Sequence, residues 1–258
     1  KAGFPTMIHE QNSVAGITNK FLARYVDKVA ICFEEAANQF KGNESKVVYT
    51  GNPRAQEVAG IEWSPILKEF DLDPVKETVL IFGGSRGAQK INQAFIESFD
   101  LLEEQHYQVL YVTGEVHFEE ISNKLKQKYP SVYPSDTVKV VPYIKEMPKV
   151  FAAVSLVVGR SGATTLAELT SLGMPSILIP SPNVTEDHQT KNALSLADKD
   201  AAVMIKESEL TKQRFVEEIS QLMSDSNRRK QMAVHSKEIG KQKASDELIA
   251  VINTIKKT

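Results

Sequence analysis

A single cysteine, Cys32, occurs in the 258 residues. No internal disulfide can form, and no Cys/His cluster offers zinc spacing, so no structural metal and a reducing, cytoplasmic setting are expected. Acidic and basic residues nearly cancel, 33 against 31, for a net charge of -2. No overall field is available to hold a polyanion, and a nucleic-acid partner is not expected. Long apolar runs are also missing: "SILIP" and "VSLVVG" are strand-sized, well short of the ~20 residues a membrane helix needs. The Gly-Lys-Ser/Thr ending of a P-loop, the G-x-G-x-x-G of dinucleotide folds and the H-E-x-x-H of zinc enzymes are all lacking. Internal repeats and low-complexity stretches are absent too. The opening "KAGFPTMIHEQN" has no initiator Met and no signal pattern and enters an apolar segment at once, so it reads as the interior of a longer chain.

What the chain does have is alternation. From Thr78 onward "TVLIF", "YQVLYV", "VKVV", "SLVV", "SILI" and "AAVMI" are separated by helix-period segments. That pattern predicts a parallel sheet covered by helices. In the first intervening segment Ile91, Phe95, Phe99 and Leu102 recur at spacings of three and four, which puts them on one helical face against the sheet. A doubly wound, Rossmann-like unit is the architecture this implies. Ahead of it, "FPTMIH", "KVAICF" and "KVVYT" are three more strand candidates, with the amphipathic "AGITNKFLARYV" between the first two. They look like the back half of a second α/β domain. The stretch "GNPRAQEVAGIEWSP" carries Gly51, Pro53, Gly60 and Pro65 with little periodicity, as an interdomain connection would. The expected division is 1–53 for the first unit and 54–240 for the second, with a last helix over 241–258 returning to the first. That helix, capped by Ser245 or Asp246, places Leu248, Ile252 and Ile255 along one side.

Two strand-turn-helix junctions have the residues to hold an anion. In "VLIFGGSRGAQKIN", Gly83, Gly84 and Gly87 let backbone N–H groups approach a phosphate at a helix N-terminus; a plain tight turn is the alternative. In "GRSGATTLAELTSLGMP", Ser161 to Thr165 offer amides and hydroxyls to a diphosphate, and Glu168 one turn on offers a carboxylate to ribose hydroxyls. The alternative is a Thr165–Glu168 capping box with Gly173 as the C-terminal stop. Further on, "TEDHQTKNA" brings His188 and Gln189 to the start of a helix, where an amide would read sugar hydroxyls and Asp187 would otherwise be a plain cap. "HEQNS" puts Asn12 at a strand end, with Asn12 or Ser13 as the competing helix cap. Asp71-Leu72-Asp73 has metal-like spacing, but Pro74 marks it as a turn ahead of the sheet. Lys20, Arg24 and Lys28 recur every four residues beside Ile17, Phe21 and Tyr25; such a stripe suits an anionic membrane surface or a solvated face.

Taken in order, "HEQNSVAGITNK", "GNPR", "GGSRGAQKIN" and "RSGATTLAEL…GMPSILIP…DHQTKNA" resemble the MurG family over essentially the whole chain. These are GT-B glycosyltransferases that move N-acetylglucosamine from UDP-N-acetylglucosamine to undecaprenyl-diphospho-N-acetylmuramoyl-pentapeptide in peptidoglycan synthesis. The resemblance implies two Rossmann-like doubly wound domains facing a cleft, the N-terminal one incomplete here. It implies that the backbone at Ile144 reads the uracil edge, that Glu168 takes the ribose, and that Ser85 with the amides of Ala163, Thr164 and Thr165 holds the diphosphate. Leu166 and Ala167 belong to the same binding run. Gln189 and His188 would meet the sugar, while Asn12 and Arg54 would reach across the cleft. The family's N-terminal glycine-rich loops, implied to hold the acceptor diphosphate and the general base, have no counterpart in the sequence, and no catalytic base is nominated. Peripheral attachment to the inner face of the bacterial cell membrane is also implied.

The implied reaction is an inverting transfer in which the muramoyl C4 hydroxyl attacks the anomeric carbon and UDP leaves from the opposite face. Charge grows on the β-phosphate, so donors preset toward it favour the transition state. One helix end supplies only about 0.3–1 kcal/mol at an exposed surface, hence several amides and hydroxyls must act together. Neither a metal nor another cofactor is required. Three alternatives stay open at this point: a UDP-N-acetylglucosamine 2-epimerase, a dinucleotide-dependent oxidoreductase, and a nucleotide-sugar-binding piece without turnover.

Overall fold

A computed structural model describes residues 3–84 and 87–256. The first part of the chain forms a three-stranded parallel sheet, β1 (Met7–Glu10), β2 (Lys28–Ile31) and β3 (Val47–Tyr49), in that spatial order. A short helix, α1 (Ile17–Leu22), joins the first two strands. Ala15, Ala23, Val29, Ile31 and Phe40 form a core beneath, whereas Ile17, Phe21 and Tyr25 stay 72 %, 56 % and 54 % exposed. Neither Asn12 nor Ser13 caps α1; the cap position is Gly16. The polar groups of the intervening loop go instead to the buried Glu10 carboxylate, which accepts from Asn12 N at 3.0 Å, Gly16 N at 2.9 Å and Asn19 Nδ2 at 2.8 Å. Cys32 is half-buried beside His9, with its thiol pushed up to about 12 by burial and then by the Glu10 charge, so it is kept as an unreactive thiol.

The stretch expected to be irregular contains a helix, α2 (Pro53–Val58). Six residues are too few to show a period, yet its signal was local: the Asn52 side chain accepts from Arg54 N at 3.1 Å and Pro53 fills the first turn. Asp71, in the left-handed region at φ 55°, and Asp73, whose carboxylate takes Val75 N, make the turn that Pro74 announced.

The remaining elements alternate without exception: β4 (Thr78–Phe82), α3 (Gln89–Glu103), β5 (Gln108–Val112), α4 (Phe118–Lys128), β6 (Val138–Val141), α5 (Met147–Phe151), β7 (Leu156–Gly159), α6 (Ala163–Leu172), β8 (Ser176–Leu178), α7 (His188–Ala197) and β9 (Ala202–Met204). All six expected strands are present, every pairing is parallel, and the order is β6-β5-β4-β7-β8-β9. This is the doubly wound order, which reverses between β4 and β7. Helices cover both faces, so the strands are mostly apolar; all five residues of β4 and of β5 are buried. Ile91, Phe95, Phe99 and Leu102 of α3 are fully buried, as their spacing predicts, and the Phe95 ring stacks on Tyr111 with centroids 3.7 Å apart. Each such side chain contributes roughly 1.5–3 kcal/mol of burial. The Tyr111 hydroxyl does not offset this, because it donates to Asn92 Oδ1.

Two closing helices, α8 (Lys212–Ser224) and α9 (Ser226–Ile239), lead the chain back to the first sheet, where α10 (Ala244–Ile255) packs on α2 and β2. The cap position is Lys243 rather than Ser245 or Asp246, since the helix begins two or three residues earlier than the sequence suggested. Asp246 lies in the first turn, where an acid is favoured, and its amide donates to the Gln56 side chain at 3.1 Å.

The outgoing and returning crossings touch. Gly51 has φ +81°, and a Cβ there would fall 2.4 Å from Lys241 Cβ; a Cβ on Gly240 would fall 2.5 Å from the Thr170 carbonyl oxygen. Lys241 Nζ sits 4.2 Å from the centre of the Tyr49 ring.

Candidate active site

In an open parallel sheet, ligands bind beyond the carboxyl ends of the strands at the point where the order reverses. Here that point lies between the loops after β4 and β7. The first contains Gly83 and Gly84; Ser85, nominated for the diphosphate, lies outside the described residues. The second, Arg160 to Gly162, leads directly into α6. Gly162 is the cap residue of α6, with extended backbone and no side-chain cap bond. The Thr165–Glu168 capping box is therefore absent: Thr165 is already inside the first turn, three residues too late to cap it. The amides of Ala163, Thr164 and Thr165 enter no hydrogen bond among the described residues, and Thr164 is exposed. They are the free donors that a helix of this length presents to an anion.

The loop beneath those amides is pinned. The buried Ser161 hydroxyl donates to the Gln189 carbonyl oxygen at 2.7 Å. Arg160 donates to the Ile179 carbonyl oxygen at 3.0 Å and pairs with Glu207. Preorganisation of this kind matters in a phosphate site because the donors need not reorient as charge develops. Leu166 and Ala167 serve differently from their neighbours. Leu166 N is spent on the Gly162 carbonyl oxygen, and with Ala163 both line a cavity of about 40 Å³ shared with Phe33, Leu196 and Ile239.

Glu168 is 8 % exposed and projects from the second turn of α6. Its Oε1 accepts from Arg54 Nε at 2.9 Å and from Arg54 Nη2, while Arg54 also pairs with Glu57. Oε2 enters no hydrogen bond among the described residues. Burial pushes the Glu168 carboxyl above its ordinary range, and the Arg54 guanidinium pulls it part of the way back. A buried carboxylate with one oxygen anchored and the other open is a ready acceptor for a pair of hydroxyls.

The start of α7 supplies the remaining groups. Asp187 occupies the cap position, but its side chain takes the Thr190 hydroxyl at 2.6 Å instead of capping the helix. Glu186 and Asp187 both sit in the left-handed region, at φ 55° and 52°, a costly conformation for residues other than glycine. His188 is half-buried, with Nδ1 2.9 Å from the Thr185 carbonyl oxygen. In the neutral ring that bond fixes the proton on Nδ1 and leaves Nε2 as an acceptor. Gln189 accepts from Ser181 N at 2.9 Å, and its amide N–H groups enter no hydrogen bond among the described residues. Asn12, from the first sheet, reaches α7 through Asn192 at 3.2 Å. Ile144 follows β6 with a buried side chain, and its peptide enters no hydrogen bond among the described residues. Ser161, expected to offer its hydroxyl to a diphosphate, is buried with that hydroxyl spent on Gln189. Arg160, Asn192 and Glu207 were not singled out in the sequence; the one available signal for Arg160 and Asn192 was their closeness to the Ser-Gly-Ala-Thr-Thr and His-Gln motifs. Among the described residues no group of His, Cys, Asp or Glu side chains is arranged to hold a metal ion.

The doubly wound unit is a Rossmann-like domain of GT-B type. Residues 78–248 match the model of the glycosyltransferase family 28 C-terminal domain, and the chain belongs to that family. It is 51 % identical over 251 residues to the UDP-N-acetylglucosamine--N-acetylmuramyl-(pentapeptide) pyrophosphoryl-undecaprenol N-acetylglucosamine transferase of Lactiplantibacillus plantarum, with 97 % of this chain and 68 % of the relative covered. Among solved structures, Acinetobacter baumannii MurG superposes with a TM-score of 0.75 at 27 % identity, covering 99 % of this chain and 67 % of that one. The S. aureus MnaA-UDP co-structure superposes with a TM-score of 0.71 at 15 % identity, covering 94 % and 67 %; at that identity the likeness is one of fold alone.

Proposed function

We propose that the protein is an inverting N-acetylglucosaminyltransferase that moves the sugar of UDP-N-acetylglucosamine to the C4 hydroxyl of undecaprenyl-diphospho-N-acetylmuramoyl-pentapeptide. What supports this reading is that α6 starts directly after β7 with three amides that enter no hydrogen bond among the described residues, that Glu168 one turn on keeps one oxygen open, and that Ser161 ties this loop to Gln189 at the start of α7. In this reading residues 54–240 hold the donor, and residues 1–53 with the helix of 241–258 belong to the acceptor side. The Ile144 peptide reads uracil, Glu168 accepts the ribose hydroxyls, and Ser85 with the amides of Ala163 to Thr165 holds the diphosphate. Gln189 and His188 face the sugar, and Asn12 and Arg54 reach it from the other wall. As the anomeric bond to the β-phosphate breaks, the departing charge moves onto oxygens already faced by fixed donors, which lowers the barrier without a metal.

Incubation with UDP-N-acetylglucosamine and a lipid-linked acceptor is expected to release UDP in step with disaccharide, and to continue in EDTA. Release of the 2-epimer without acceptor, or loss of turnover on chelation, would overturn the proposal.

The acceptor is lipid-linked, so the enzyme must work at a membrane surface. No helix among the described residues is long and apolar enough to cross one, and we propose peripheral attachment at the inner face. The support is α1 and the turn after it, where the exposed Ile17, Phe21 and Tyr25 lie beside Lys20 and Arg24; Lys28, expected in the same helical stripe, is instead the first residue of β2. Phe21→Glu is expected to weaken sedimentation with anionic phospholipid vesicles about tenfold, the loss of one buried aromatic. Unchanged sedimentation would remove this stripe from the account.

A further inference from the structure

Asn192 is fully buried, one turn into α7, and stands between the two sheets. Its Oδ1 accepts from Ser13 N at 2.9 Å and from the Ser13 hydroxyl at 2.8 Å. Its Nδ2 donates to Asn12 Oδ1 and to the Ser161 carbonyl oxygen, each at 3.2 Å. Two of these partners are backbone groups, an obligate donor and an obligate acceptor, so the orientation of the amide is fixed by chemistry. All four bonds that the side chain can make are made. Three of them go to the loop after β1, two to Ser13 and one to Asn12; the fourth ties that loop to the peptide immediately ahead of Gly162 and the α6 amides.

A solvent-facing asparagine would serve neither wall, and a surface contact between the halves would not need every valence satisfied. We infer that Asn192 is a positioning residue that sets the distance between Asn12 and the amides of Ala163 to Thr165, and so between the sugar-facing and diphosphate-facing walls. The inference rests on the donor-site reading proposed above. It makes a separable claim, because the groups assigned to uracil, ribose and diphosphate all come from the second sheet, whereas Asn12 comes from the first. Loss of Asn192 should leave UDP binding intact and degrade only what the sugar adds.

The test is calorimetric titration of UDP and of UDP-N-acetylglucosamine into the protein and its Asn192→Ala variant, with thermal melting as a check on folding. UDP affinity is expected to stay within about twofold, while the ratio of UDP-N-acetylglucosamine to UDP affinity falls about tenfold, the size of one lost hydrogen bond. In a double-mutant cycle with Asn12→Ala, the second substitution should add nothing to that ratio, since Asn192 acts through Asn12. If Asn192→Ala does not fold, Asn192→Asp gives the same comparison: it keeps the shape and both Ser13 bonds, but it turns an acceptor toward the Ser161 carbonyl oxygen. A parallel fall for both ligands, an unchanged ratio, or full additivity with Asn12→Ala would overturn the inference. Failure of the unaltered protein to bind UDP would instead sink the donor-site reading and this inference with it.

Discussion

Glu168→Ala is expected to weaken UDP binding about 10- to 100-fold, corresponding to the 1.5–3 kcal/mol typical of a charged hydrogen-bond acceptor. The loss falls on the open oxygen, since the other is held by Arg54. Glu168→Gln separates the two roles. An amide carbonyl still accepts from Arg54 but meets the ribose hydroxyls without charge, so affinity should fall while the fold holds. Because burial raises the folded carboxyl above its ordinary value of 4.5, ionised Glu168 is less favourable in the folded chain than in the unfolded one. Stability is thus lost as pH rises from that ordinary value through the folded one. Glu168→Gln should therefore melt at or above the unaltered protein at neutral pH, with the difference gone below pH 4.5. Nucleotide affinity carries the opposite sign: it should drop on acidification while the pH is still above 4.5, in a step missing from Glu168→Gln. Titrations across that range in which both proteins behave alike would remove the carboxylate from the site.

The second large effect concerns stability. Gly51→Ala is expected to cost about 2–5 kcal/mol, combining a left-handed backbone unsuited to a side chain with a methyl driven into Lys241. For a chain of this size that lowers the melting temperature by roughly 5 to 15 °C. Gly60→Ala is the control, because open space surrounds Gly60 and its φ is ordinary; it should stay within about 0.5 kcal/mol of the unaltered protein. If both variants melt together, the two crossings do not press on one another as described.

The strands of the second sheet were legible because each is a short apolar run bounded by a helix period, and parallel connections leave few topologies to choose among. Helix starts were less so. Thr165 and Glu168 have capping-box spacing, but the helix begins three residues earlier, at a glycine whose free amides suit a ligand better than a cap. Asn12 and Ser13 likewise resembled caps and proved to be bonding partners of Asn192. The ties that assemble the site join residues far apart in the chain: Arg54 to Glu168 across 114 positions and Ser13 to Asn192 across 179. No local spacing encodes such a pair. His188, Gln189 and Glu168 could be picked out because each follows a strand end; Asn192 and Arg160 could not, because what marks them is the partner.

The docking of α10 on α2 has a consequence for biosynthesis. The Gln56 side chain meets the Asp246 amide 190 positions later, so a nascent chain emerging from the ribosome exposes the outer side of α2 throughout most of translation. The second sheet can close as soon as β9 has been made, since its strands and their crossovers are contiguous in the chain. The first remains unfinished until the final helix appears, and a chaperone holding the early segment would be released last, by the arrival of α10.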